Sequence, residues 1–217
     1  MESVRKRGRP PTAEPMQVAA IALQLFERRG FDAVTMDEIA DAAGVSPRTL
    51  FRHFPTKSDL VWHGLEEMRD AVSAQAGSLR GSGRSPAEVI GALAEQVLRP
   101  MEDPAVARLA RRRLRLIAAV PALLNHPTLR ELEVIVASLF DQKFEPPALM
   151  ARTVIAVAFG AMFWWAEQGD GVTALEALSM ALRGVARGSL ALDREAASGR
   201  GPRALANART RSPLASR

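Results

Sequence analysis

Apolar residues recur with a helical period along almost the whole chain, and no stretch alternates with the period of two that a half-buried strand requires. Between Ala13 and Gly30, the residues Val18, Ile21, Ala22, Leu25 and Phe26 fall at positions i, i+3, i+4, i+7 and i+8 of one helix face. Gly30 is a natural stop. The run Thr35-Met-Asp-Glu38 reads as a capping box, threonine accepting from the Glu38 amide and Glu38 reaching back. The helix that it opens closes near Ala43-Gly44. Ser46-Pro47 restarts the chain with serine as N-cap and proline at the first helical position, and that helix runs to about His53, before Pro55. Thr56-Lys-Ser-Asp59 is a second box-like start, predicting one connecting helix over 57–79. Beyond the linker Arg80-Gly-Ser-Gly-Arg-Ser85, the pattern predicts helices at about 86–99, 103–120, 127–144, 147–168 and 173–192. Pro100, Pro104, Pro121, Pro127, Pro146-Pro147 and the Gly169-Asp-Gly171 turn punctuate them. Residues 193–217, rich in Ala, Arg, Ser, Gly and Pro, read as a disordered basic tail. The expected fold class is all-α.

Two of these helices, Thr35–Ala43 and Pro47–His53, are short and joined by a tight turn at Gly44-Val45, which is helix-turn-helix spacing. The apolar side of the second, with Val45, Leu50 and Phe54, should pack on Ile39, Ala40 and Phe26. Its other side presents Pro47, Arg48, Thr49, Arg52 and His53. Arginine reads guanine bidentately, threonine can meet a thymine methyl, and histidine can bond a base edge or a phosphate. A bundle hairpin with a solvated arginine face has the same spacing.

Charge narrows the choice. The 217-residue chain carries a formal net charge of +5, of which residues 1–11 hold +3 and residues 193–217 hold +4, leaving a slightly acidic body. Basic ends on such a body suit a polyanion better than a small acidic substrate, although the C-terminal tail reads more simply as a solubility aid. Cysteine is absent, which excludes disulfides, thiolate metal sites and cysteine nucleophiles. His53, His63 and His126 are scattered without metal spacing, and no glycine-rich phosphate loop follows a strand, so neither an enzyme nor a bound cofactor or metal is expected. The longest uninterrupted apolar run, Val154 to Ala166, has 13 residues against the ~18 of a membrane span, and the basic N-terminus lacks the apolar core of a signal peptide. A cytoplasmic protein without a membrane partner is expected. A helical adaptor that binds only proteins is the other competing class.

At the residues of the motif a family resemblance becomes specific. The stretch Ile21-Ala-Leu-Gln-Leu-Phe26, Gly30-Phe31, Thr35-Met-Asp-Glu-Ile-Ala40, Ala43-Gly-Val-Ser46 and Thr49-Leu-Phe-Arg-His-Phe54-Pro-Thr-Lys57-Ser-Asp-Leu60 resembles the DNA-binding domain of the TetR family. Arg5-Lys6-Arg7-Gly-Arg9-Pro resembles the basic arm that often precedes it. The resemblance implies a ligand-released homodimeric repressor on double-stranded operator DNA. Its parts would be an arm at 1–11, a three-helix DNA-binding domain at 12–56, and a helical ligand-binding and dimerisation domain at 57–192. By position, Pro47, Arg48 and Thr49 begin the recognition helix, Arg52, His53 and Lys57 line its phosphate-facing side, and Thr35 with the following amides touches the neighbouring phosphate. Phe51 stands where the family often has tyrosine, which removes one phosphate-bonding hydroxyl. Dimerisation is implied through helices 147–168 and 173–192, where Ala177, Ala181, Gly184 and Gly188 permit close approach.

A finer likeness, in Phe51-Arg-His-Phe and Arg112-Arg-Leu-Arg-Leu-Ile-Ala-Ala-Val-Pro121, is to regulators of mycofactocin gene clusters, a branch with relatives that sense long-chain acyl-CoA. It suggests an elongated apolar ligand against Phe140, Phe144, Met162 and Trp164 or Trp165, with Arg112 or Arg115 at its polar end. Arg108, Arg111, Arg112, Arg113 and Arg115 share one helix, and a solvated or acid-paired face is the plainer account of such a run. Core packing is likewise the plainer account of the aromatics.

Overall fold

A computed structural model describes residues 14–79, 83, 85–140 and 146–197. Among them are ten α-helices and no strand. These are α1 (Pro15–Arg29), α2 (Met36–Ala43), α3 (Pro47–His53), α4 (Lys57–Trp62), α5 (Leu65–Leu79), α6 (Pro86–Leu98), α7 (Pro104–Ala119), α8 (Pro127–Ala137), α9 (Pro147–Glu167) and α10 (Ala174–Ala197). Short 3-10 turns at Arg99–Glu102 and Pro121–Asn125 precede α7 and α8. Residues up to Leu178 form one unit; the described part of a second, Ser179–Arg217, is the latter stretch of α10.

The helix starts follow the local chemistry. Proline stands in the first turn of α1, α3, α6, α7, α8 and α9, where its fixed φ suits a helix and its missing N–H costs nothing. Thr35, Thr56 and Ser85 complete capping boxes with Glu38, Asp59 and Glu88, each satisfying backbone donors at both ends of the box.

Three boundaries, and the apolar length of one helix, differ from the sequence expectation. The connecting helix predicted over 57–79 breaks at His63-Gly64, because Gly64 takes φ +85°, which side chains with a Cβ rarely adopt. The helix predicted over 127–144 ends at Ala137, where the Ser138 hydroxyl donates to the Ile135 carbonyl in place of a further helical turn. Residues 193–197, assigned to the tail, continue α10, since Asp193-Arg-Glu-Ala-Ala197 contains no helix breaker. Finally, α9 is long and apolar enough to cross a membrane by length and composition, with mean hydropathy 1.5. Counting unbroken apolar residues missed this because Arg152 and Thr153 interrupt the run. Here α9 packs on α7 and α8, burying Ala161, Met162, Trp165 and Ala166.

One apolar core runs from the three-helix head into the body. Val18, Ala22, Leu23 and Phe26 of α1 meet Ile39, Ala40, Leu50 and Phe54, and the same cluster includes Trp62, Leu116, Ile117 and Leu123. Trp62 is fully buried. Its indole N–H donates to the Leu123 carbonyl at 3.0 Å, and its ring stacks on His126 at 5.1 Å, nearly parallel. The other face of this joint is polar. His126 Nε2 lies 3.2 Å from Asp59 Oδ1, and Asp59 Oδ2 accepts from the Thr56 amide and hydroxyl, both at 2.7 Å. Burial pushes the Asp59 carboxyl up, but the bonds from Thr56 and His126 outweigh it and hold the group below its ordinary 3.8.

A carboxyl whose pKa is depressed on folding contributes stability above its unfolded pKa and loses it as pH falls through the folded one. Asp59→Asn, which keeps a capping oxygen but not the charge, should therefore be less stable than wild type near neutral pH. The deficit should shrink once the pH drops below about 4. Urea titrations at both pH values check this; a constant deficit would assign the effect to packing.

Candidate nucleic-acid interface

The head presents α3 on a rigid turn. Gly44 closes α2 in the left-handed region at φ +66°, its N–H reaching the Ala40 and Asp41 carbonyls. The Val45 amide also donates to Ala40. Ser46 then caps α3, accepting from the Thr49 amide at 3.1 Å and sharing a hydroxyl bond with Thr49 Oγ1 at 2.8 Å. Leu50 is enclosed, which turns the opposite side of α3 outward. Pro47, Arg48, Phe51, Arg52 and His53 are exposed, and Thr49 is half-buried. Arg52 Nη2 lies 3.2 Å from His53 Nε2, so these two side chains act as a pair. Phe51 leaves 48% of its surface in solvent, an apolar plate able to meet a thymine methyl or a sugar, but no phosphate oxygen.

Two residues assigned to phosphate contact have other employment. The Lys57 ammonium donates to the carbonyls of Phe31, Asp32 and Val34 at 2.6, 3.3 and 3.0 Å and sits 4.7 Å over the Phe31 ring. It staples the α1–α2 loop instead of facing outward. At the start of α2, Glu38 accepts from the Thr35 amide and hydroxyl at 2.8 and 3.1 Å and from Arg29 at 2.8 Å. These bonds, led by the Thr35 amide, lower its pKa to about 2. What remains for a phosphate there is the pair of amides at Met36 and Asp37, which lack helical acceptors by geometry. Arg5, Lys6, Arg7 and Arg9 lie outside the described residues.

In the body, the described residues expected along a ligand wall have separate settings. Arg112 binds Glu27 of α1 bidentately, with contacts of 2.6 to 3.0 Å, and Arg115 donates to the Ala166 carbonyl at 3.3 Å. Trp165 is enclosed, donates to the Val172 carbonyl at 2.9 Å and carries the Arg111 guanidinium 4.2 Å above its ring. Trp164 points the other way and is 41% exposed. Met162 is buried, Phe140 lies half-buried in the turn after α8, and Phe144 lies outside the described residues. An open polar groove of about 430 Å³ runs along Gln75, Ala92, Glu95, Gln96 and Arg99. Sequence reasoning missed the Asp59–His126 joint and Arg113. The second had a signal: Arg113 interrupts the apolar stripe of Leu109, Leu116 and Ile117 on α7.

With this geometry in hand, comparison with known proteins is informative. Residues 19–62 match the family model described as bacterial regulatory proteins, tetR family. The putative mycofactocin biosynthesis transcriptional regulator MftR of Mycobacterium tuberculosis is 40% identical over 55 residues, covering 25% of this chain and 28% of that protein. The chain thus aligns with less than a third of that relative's length. Two solved structures share the fold. FadR of Thermus thermophilus, a TetR family repressor in complex with lauroyl-CoA, covers 78% of this chain and 92% of its own with 23% identity and TM-score 0.51. NalD of Pseudomonas aeruginosa, the secondary repressor of the MexAB-OprM efflux pump, covers 82% and 98% with 18% identity and TM-score 0.60.

The different settings of Arg48 and Lys57 give a direct test. Arg48→Ala should leave the melting temperature unchanged and relax base preference at one position per half-site, by about 1–3 kcal/mol. Lys57→Ala should lower the melting temperature of the free protein and leave the salt dependence of DNA binding unaltered, because its ammonium is engaged by three loop carbonyls. A flattened salt dependence in the lysine variant would return it to the DNA surface.

Proposed function

We propose that the chain is a regulator of the tetR type, a ligand-released, homodimeric repressor that binds operator DNA in the cytoplasm; the match of residues 19–62 to that family's model supports the reading. The observation that carries this reading is the outward face of α3: a guanine-reading arginine, an apolar plate and an Arg52–His53 pair, on a helix anchored by Leu50 and capped at Ser46. No catalytic role needs that arrangement. The basic arm at Arg5, Lys6, Arg7 and Arg9 adds charge suited to flanking phosphates or a minor groove.

Dimerisation through 147–168 and 173–192 is supported by what these helices leave uncovered. Leu149 and Trp164 of α9 are 55% and 41% exposed, and Met180 and Val185 of α10 are 45% and 51% exposed. Only 17% of the apolar stretch of α9 is buried, and an apolar surface of that kind calls for a partner. A second copy would set two α3 helices about 34–36 Å apart on a palindromic site. For the effector, the lauroyl-CoA bound by the Thermus FadR and the likeness to mycofactocin regulators favour an acyl-CoA.

Gel retardation with the DNA upstream of the gene, followed by titration with acyl-CoAs of graded length, tests the reading. The expected outcome is one dimer per palindrome and release by a long-chain member of the series. Release requires a differential affinity of about 5.5 kcal/mol to move a 1:99 population to 99:1. Binding no tighter than to unrelated DNA would overturn the regulator, and release at no chain length would overturn only the acyl-CoA.

A further inference from the structure

Three consecutive arginines of α7 meet three different fates. Arg111 is buried and donates to the carbonyls of Trp165, Gln168, Gly169 and Val172. Arg112 is paired with Glu27. Arg113 is only 8% exposed, and its Nε and Nη2 are enclosed with no acceptor among the described residues. Burial lowers its pKa to about 10, which leaves it charged at neutral pH. An unpaired buried guanidinium is among the costliest arrangements in a protein interior. Among the described residues both neighbours find acceptors, although Arg111 Nε has none, and the enclosed Nε and Nη2 of Arg113 find none.

The setting of Arg113 gives the arrangement a use. Its Nη1 lies 3.8 Å from where a Cβ on Gly64 would stand, and the terminal methyl of Met16 lies 3.4 Å from the same point. Gly64 is the break between α4 and α5, and Met16 belongs to the first turn of α1. Met16 is 42% exposed and unbranched, so its end is a cover that can move aside at little cost. The guanidinium fork matches the paired oxygens of a carboxylate or phosphate, the acceptors that its surroundings lack.

We propose that Arg113 is the receptor for an anionic head group, the carboxylate or phosphate of an amphipathic ligand admitted past Met16 at the α4–α5 break. This rests on the reading of the chain as a ligand-responsive regulator and moves the polar end of the effector from Arg112 or Arg115 to Arg113, for which no acceptor is found among the described residues. An anion there contacts the elements on both sides of Gly64. It therefore has the differential contact that a shift between two head positions requires.

The test uses the full-length chain without DNA. Calorimetry compares laurate, dodecyl phosphate and dodecanol, which share a tail and differ in head, on wild type, Arg113→Met and Arg113→Lys. Wild type should bind at least one anion about tenfold or more tighter than the alcohol. Arg113→Met should bind all three alike, and Arg113→Lys should keep a reduced anion preference. Because the methionine variant removes an unpaired charge and keeps the apolar stem, its melting temperature should equal or exceed that of wild type. If it melts lower, Arg113→Lys decides: an anion preference equal to that of wild type overturns the assignment of the fork. Equal anion affinity in wild type and Arg113→Met, or no anion preference in wild type, overturns the site. Neither result touches operator binding, and a failed gel shift leaves the calorimetry standing.

Discussion

The enclosed indole of Trp62 is the contact on which the union of head and body depends. At six residues α4 is too short to hold itself as a helix, so its geometry comes from what it is packed against. Trp62 supplies that packing and also a directional bond, its N–H fixing the 3-10 turn that leads into α8. The ring stacked on it, His126, caps the first turn of α8 through Thr128 and reaches back to Asp59, the residue that caps α4. Apolar enclosure, a hydrogen bond and two helix caps thus close on one another. Each of them fixes the position of the next.

The outward face of α3 is set by residues that do not belong to it or point away from it. Leu50 and Ser46 hold α3, while Lys57 holds the loop that leads into α2 by donating to the loop carbonyls of Phe31, Asp32 and Val34. Arg29 pairs with Glu38 at the start of α2, so the carboxylate of the capping box is not a bare charge. Among the described residues of the head, α3 exposes the cations Arg48 and Arg52, and α1 exposes Arg28.

How much of this was legible in the sequence depended on the reach of the interaction concerned. Capping boxes, proline starts and the helix-turn-helix spacing are written within four residues of one another, and the structure has them where the pattern put them. The Gly64 break was hidden because a glycine inside an apolar period costs a helix only about 1 kcal/mol, and what decides for a break there is the distant socket for Trp62. The partners of the arginines were hidden for the same reason. Glu27 and Arg112 are 85 residues apart, and nothing local distinguishes Arg112 from Arg113 except the apolar stripe that the latter interrupts.

The continuity of the core also bears on modularity. A sequence comparison isolates a segment ending at Trp62, as though the reading head were a detachable cassette. Yet the body supplies Leu116, Ile117 and Leu123 to the same apolar cluster, and Phe159 and Phe163 lean on it. A chain cut after Trp62 would turn its most deeply enclosed aromatic into a surface group. A chimera that borrowed this head would have to bring a matching floor from α7 and the turn before α8. The portable unit is the head together with that floor, and the seam for recombination lies inside the body, well past the end of the motif.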